Sequence, residues 1–240
     1  MSGTPKTLQQ RWRAWERSWR ADWAHDLSAP GARARARFDM IAFDHGFLRT
    51  LYSNTAQIRP GVFRANQPSP ARLHYWAKRG LKTVINLRGA SDLGSFLLEE
   101  EAARDLGLTL INVRLFSRQA PPRDAILELL DVYDRAETPM LLHCKSGADR
   151  AGLGAAIYVL SQGGTVPEAL AQLSLRFMHV RTAHTGILTH FIEVYARAQA
   201  QSGIGFRDWV TKQYDEAEVT NSFQPEGISA WVVDRVLRRE

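Results

Sequence analysis

Residues 139–152, P-M-L-L-H-C-K-S-G-A-D-R-A-G, constrain the fold more than any other stretch. A short apolar run, Met140–Leu142, leads into His143 and Cys144, and a helical run starts at Arg150 after five intervening residues. The order is a buried strand, a tight loop and a helix N-terminus. Successive backbone N–H groups in such a loop form a nest for anions. The helix that follows points its positive dipole end into the same space. Arg150 adds a planar fork of donors matched to phosphate oxygens, and Gly147 lets the chain curl. Cysteines at helix N-termini or beside cations lose their proton readily. Cys144 is therefore expected to face a bound oxyanion as a thiolate nucleophile. A lone cysteine more often just closes a core strand, but that use does not explain why His143, Gly147 and Arg150 gather around it.

The run H-C-K-S-G-A-D-R-A-G resembles the His-Cys-x5-Arg signature of the cysteine-dependent protein tyrosine phosphatase superfamily. It is most similar to the compact dual-specificity and phosphoinositide-phosphatase-like branch, of bacterial type. The likeness covers residues 58–180, with V-I-N-L-R at 84–88 inside it. Rhodanese-type sulfurtransferases have a similar loop that is one residue shorter. The resemblance implies that Cys144 attacks phosphorus to give a phosphocysteine, which water then hydrolyses. It implies that Lys145, Ser146, Gly147, Ala148, Asp149 and Arg150 bind the phosphate, and that His143 orders the loop and tunes the thiolate. For Lys145 a substrate contact and a solvated surface charge stand side by side; in relatives a lysine here accompanies phosphoinositide or highly charged substrates.

Two departures from the family pattern matter. Relatives mostly carry Ser or Thr after the arginine, whose hydroxyl helps the thiolate leave; here the residue is Ala151. The segment where relatives keep an acidic residue is Arg114–Arg118, and it holds no carboxylate. An alkyl or aryl leaving oxygen still needs a proton. Asp149, inside the loop, is the favoured general acid, as the resemblance to some bacterial relatives with a Lys-Asp-Arg loop implies, or it is an ion pair or brace of the loop. Asp124, just after Pro121-Pro122, is the alternative, or it is simply a favourable charge in a first helical turn. Arg88 and Asp92 follow the V-I-N-L-R strand and are read as lining the same edge, or as a structural ion pair.

Strand and helix patterns alternate along the chain. Strands are expected at Phe47–Tyr52, Val62–Ala65 (after a turn at Arg59-Pro60-Gly61), Leu81–Leu87, Leu108–Leu115 and Met140–His143. Helices are expected from Ser69-Pro70 to Gly80, over Ser95–Leu106, Arg123–Ala136 and from Arg150 to Gln162. Further helices are expected over Pro167–His179 behind a Thr165…Glu168 capping box, and over Thr185–Ala200, Phe206–Glu218 and Ile228–Arg238. The expected class is α/β: a central mixed, largely parallel sheet flanked by helices, with extra N- and C-terminal helices and a phosphate site at the carboxyl end of a central strand. Residues 1–37 form a basic, Trp-rich helical extension, residues 38–200 the catalytic domain, and residues 201–240 a helical arm.

In the extension, Leu8, Trp12, Trp15, Trp19, Trp23 and Leu27 recur at helical spacing over residues 8–27. That stripe packs on the catalytic domain or, with its arginines, docks on an anionic membrane. Ala32–Arg37 is either a charged linker or a further helical turn. The net charge of +6 favours anionic partners. Zinc-finger and aromatic RNA-binding patterns are missing, so nucleic acid is not expected, and the seven histidines show no metal-ligand spacing. No cofactor is implied. One cysteine excludes an internal disulfide framework, and neither a membrane span nor a signal sequence is evident. The location expected is cytoplasmic, with membrane-peripheral attachment as its variant.

The function expected is phosphomonoester hydrolysis, of the tyrosine or dual-specificity protein phosphatase kind. The alternatives are a phosphoinositide or inositol-polyphosphate phosphatase and a catalytically weak phospho-ligand-binding module. The substrate partner is accordingly a phosphorylated protein or inositol lipid.

Overall fold

The computed structural model describes residues 7–24 and 26–225. The helix expected over Ile228–Arg238 lies outside them.

The centre is a five-stranded sheet of order β1-β2-β5-β3-β4. It is built from β1 (Ala56–Arg59), β2 (Val62–Asn66), β3 (Thr83–Asn86), β4 (Thr109–Asn112) and β5 (Met140–Cys144). The β1–β2 hairpin is antiparallel and every other pairing is parallel. β5 is central, fully buried, and set so that Asn66 pairs with Cys144 and Asn86 with His143. Parallel strands need crossovers, and the crossovers place helices on both faces. On one face, α4 (Pro70–Ala77) and α5 (Gly94–Asp105) cover Ala65, Val84 and Leu141. On the other, the larger core gathers α6 (Arg123–Arg135), α7 (Asp149–Ser161) and α9 (Ile187–Ser202) over Val62, Ile85 and Leu142. Two short helices, α10 (Phe206–Lys212) and α11 (Glu216–Ser222), add Phe206, Trp209 and Val219 to that core.

The N-terminal segment forms α1 (Leu8–Ala21) and α2 (Ala32–Phe38), then a π-helical turn over Asp39–Phe43 and α3 (Gly46–Leu51). Thr7 and Gln10 form a capping box at the start of α1. Trp23, Ala32 and Ala36 pack on Leu98 of α5. The contact is close: a Cβ on Gly94 would lie 2.2 Å from the Ala36 carbonyl oxygen. Arg20 and the Gly94 N–H bind opposite oxygens of buried Asp39, each at 2.7 Å. The tryptophan stripe divides. Trp23 is buried, while Trp12 and Trp15 stay 54% and 49% exposed against the ring of Phe43. Among the described residues no helix is long and apolar enough to cross a membrane.

Four local expectations are corrected. Phe47–Leu51 lies in helix α3, not in a strand, and Tyr52 is the extended residue after it. His45 enters it in a left-handed conformation, and Gly46 fits where a Cβ would meet the Met40 oxygen at 2.5 Å; a strand-like run of side chains does not reveal such an entry. The first helix stops at Ala21 rather than Leu27, and Ala32–Arg37 falls within α2. The helix expected over Pro167–His179 is α8, Val166–Ala171, followed by a 3-10 turn over Leu175–Phe177. Its continuation is lost because Arg64 takes the Gln172 carbonyl at 2.6 Å and the Ser174 hydroxyl takes that of Ala171 at 2.9 Å. Phe206–Glu218 splits into α10 and α11, where Tyr214 turns inward to donate to the Pro121 oxygen at 2.7 Å and Asp215 caps α11.

Candidate active site

Cys144 ends β5 at 2% exposure, and the next four residues turn into α7, which begins at Asp149. Gly147 has φ +76°, and a Cβ there would lie 2.7 Å from the Asn66 nitrogen and 2.9 Å from Asn54 Cβ. The loop is therefore folded tightly over the end of β2, and only glycine permits it.

Side chains from outside the loop hold its carbonyls. Arg64, in β2 and fully buried, donates to the oxygens of Gly147 at 2.6 Å and Ala148 at 3.1 Å. Its guanidinium lies 3.9 Å over the ring of Phe177. Burial pulls Arg64 down to about 10, against the opposing influence of Cys144 and Asp149. Asn54 donates to the Ser146 oxygen at 3.1 Å, and the Gln67 N–H donates to the Lys145 oxygen at 3.4 Å. Drawing carbonyls outward leaves a turn whose inner side suits an anion. Arg150, half-buried in the first turn of α7, has a guanidinium with no ion pair or hydrogen bond to the described residues.

A second layer lies behind the loop. His143 is fully buried, with Nε2 at 2.7 Å from Glu99 Oε1. That contact is close but out of line with the ring N–H, so neither ring nitrogen makes an aligned hydrogen bond among the described residues. Glu99 Oε2 accepts from Gln67 Nε2 at 2.9 Å, and Gln67 Oε1 in turn accepts from Arg88. Arg88 grips Asp44 through both terminal nitrogens, at 2.8 and 2.9 Å. Asp44 also binds Arg49 at 2.8 Å and Lys145 at 3.4 Å. Burial pushes Asp44 up, but Arg88, with Arg49 and Lys145, outweighs it and holds the carboxyl far below the usual carboxylate range. Burial lowers Lys145 in spite of Asp44. A cavity of about 410 Å³ lies beside this cluster, lined in part by Arg49, Asn66, Gln67 and Arg72.

The structure brings His143, Lys145, Ser146, Gly147, Ala148, Asp149 and Arg150 around Cys144, with Arg88 linked to them through Gln67 and Asp44. The reading of Arg88 with Asp92 is corrected: Arg88 pairs with Asp44, and Asp92 is exposed. Asp124 is exposed in the first turn of α6. Asp149 is 5% exposed, and its Oδ1 lies 2.8 Å from His179 Nδ1, whose Nε2 lies 2.9 Å from Thr189 Oγ1. Ala151 is fully buried. Sequence reasoning missed Asp44, Asn54, Arg64, Gln67, Glu99 and His179. Only Arg64 left a trace, as a lone charge in the otherwise uncharged strand V-F-R-A-N.

Residues 38–189 match the family model described as DSP-PTPase phosphatase fused to NAD+ kinase. The chain belongs to this family. It is a phosphatase of the cysteine-dependent superfamily. Among solved structures, TpbA of P. aeruginosa is similar at 20% identity, over 59% of this chain and 84% of that one, with a TM-score of 0.49. The core catalytic domain of the PP-IP phosphatase SIW14 from S. cerevisiae is similar at 18% identity, over 62% and 93%, with a TM-score of 0.48. No curated protein matches the chain.

Proposed function

We propose that this phosphatase hydrolyses phosphomonoesters through a phosphocysteine on Cys144, as a tyrosine or dual-specificity protein phosphatase. The observation that carries the reading is the pairing of a nucleophile at the end of the central strand with an uncommitted Arg150 across a braced loop. The thiolate attacks phosphorus in line, the P–O bond to the leaving group breaks, and Asp149 supplies the leaving oxygen's proton. Water then attacks phosphorus, the P–S bond breaks, and the proton is returned. Arg150 and the loop amides hold the equatorial oxygens, which stabilises charge that develops in the transition state. A chemistry that needs the lone cysteine reduced suits the cytoplasm.

The test is hydrolysis of an artificial aryl phosphate. Cys144→Ser should abolish it, and Arg150→Lys should fail too, since a point charge cannot replace the bidentate fork. Full activity in Cys144→Ser would remove the nucleophile assignment.

The half-buried cluster of Arg88, Arg49 and Lys145 around one buried carboxylate favours a second substrate class, phosphoinositides or inositol polyphosphates. A panel of phosphotyrosine peptide, phosphothreonine peptide, phosphoinositides and soluble inositol polyphosphates separates the two. Exposed Trp12 and Trp15, with exposed Arg11 and Arg17 on the same helix, support docking on an anionic membrane. Co-sedimentation with anionic liposomes, and its loss in Trp12→Ala/Trp15→Ala, tests that partner.

A further inference from the structure

Asp149 has very little contact with solvent, yet a general acid must be reprotonated in every cycle. Its neighbours offer a solution. The imidazole of His179, fully buried, lies between Asp149 Oδ1 at 2.8 Å and Thr189 Oγ1 at 2.9 Å. A threonine hydroxyl both donates and accepts. With one ring proton, Nδ1–H donates to Asp149 and the Thr189 hydroxyl donates to Nε2. With two, Nδ1–H still donates to Asp149, and Nε2–H donates to the Thr189 oxygen once that hydroxyl has rotated. The triad therefore takes up or releases one proton without leaving either ring nitrogen unbonded. An aliphatic residue in place of Thr189 would leave Nε2 without this partner in both states.

We propose that Asp149 and His179 share the proton that the leaving oxygen receives, with His179 as the positioning residue that stores it and Asp149 as the group that delivers it. The proposal rests on Cys144 being the nucleophile. In the first step the S–P bond forms, the P–O bond breaks, and the shared proton passes to the departing oxygen. In the second, the oxygen of water bonds to phosphorus, the P–S bond breaks, and one proton of that water returns to the pair. The charged groups around it are Arg64 from β2, which interacts electrostatically with Asp149, and Cys144 from β5.

The experiment compares leaving groups. Rates for a series of aryl and alkyl phosphates are measured for the wild type, His179→Asn and Thr189→Val, with vanadate affinity as the control for loop integrity. Asparagine keeps an N–H donor toward Asp149 but cannot carry the proton. The expected result is a steeper dependence on leaving group in His179→Asn: alkyl esters lose on the order of 10²-fold or more, activated aryl esters far less, with vanadate still bound. Thr189→Val should shift the pH profile of kcat for alkyl esters in the same protein background. Equal losses on both ester types, or a wild-type slope in His179→Asn, would overturn the proposal. NMR of ring-labelled histidine in Cys144→Ser protein reads the proton without turnover. Both the one-proton and the two-proton ring of His179 should be seen across a pH series, and Asp149→Asn should alter their balance. An unchanging ring would overturn the sharing even if the phosphatase reading stands; activity surviving in Cys144→Ser would instead overturn the reading beneath it.

Discussion

Gly147→Ala gives the sharpest separation of strain from chemistry. The residue sits at φ +76°, where an L-residue costs about 1–2 kcal/mol. A melting shift of about 2–4 °C per kcal/mol follows for a chain of this size. The new Cβ would also meet the Asn66 nitrogen at 2.7 Å, and the Ala65 carbonyl carbon and Asn54 Cβ at 2.9 Å. Two of these three atoms are backbone of a central strand and give little. The loop must move instead, by several tenths of an ångström, and misplacement on that scale near reacting atoms costs on the order of 10²-fold in rate. Gly80→Ala is the matched control, with φ +84° and nothing within 4 Å of its Cβ. Both variants should melt lower than wild type, Gly147→Ala by more because its Cβ also overlaps backbone. Only Gly147→Ala should lose about 10²-fold in kcat/KM on an aryl phosphate, together with vanadate affinity. Activity of Gly147→Ala within about threefold of wild type, under 1 kcal/mol of transition-state stabilisation, would refute the claim that the loop's close approach to β2 sets its geometry.

Asp149→Asn should lose on the order of 10²–10⁴-fold on alkyl esters, with much smaller loss on activated aryl esters, while Asp124→Asn tracks wild type on both; the same ester series checks it, and the reverse pattern would place the acid on α6. The folded Asp44 carboxyl lies below its unfolded value, so its contribution to stability is complete above about pH 4 and is lost as pH falls further. Thermal melts from about pH 5 to 2 should therefore be flatter in Asp44→Asn than in wild type. With no hydroxyl at position 151, rapid quench should show a burst of leaving group of about one enzyme equivalent. Ala151→Ser should diminish it, and steady turnover from the first cycle would mean that another group helps the thiolate leave.

Four of the five strands were legible because they are short apolar runs bounded by Gly, Pro or a capped helix, whereas β1, Ala56–Arg59, was not expected. Leu81–Leu87 contains β3, and Met140–His143 falls short of β5 by one residue. The loop was legible because Cys144, Gly147 and Arg150 are contiguous in sequence. Phe47–Tyr52 was misread because its helix depends on Gly46 fitting against Met40, a tertiary contact. The groups that support the loop were invisible for a related reason. Asp44, Arg64 and His179 come from three separate elements, and each is an ordinary charged residue until the fold brings it within 4 Å of its partner. Periodicity reports which face a residue occupies, not which distant carbonyl or carboxylate it meets.

The seat of Asp44 bears on where the working unit of this enzyme begins. The strands and the nucleophile all lie after residue 55, yet the anion that neutralises Arg88, Arg49 and Lys145 arrives from the turn before α3. That turn is held in place by Asp39, through Gly94 and Arg20. A chain shortened to the start of β1 would keep every residue of the signature and still change the electrostatics at its mouth, because two half-buried cations, Arg88 and Lys145, would lose their counter-ion. Anything that loosened the N-terminal helices would do the same reversibly, so their attachment acts as a dial on the local potential that an incoming phosphate meets.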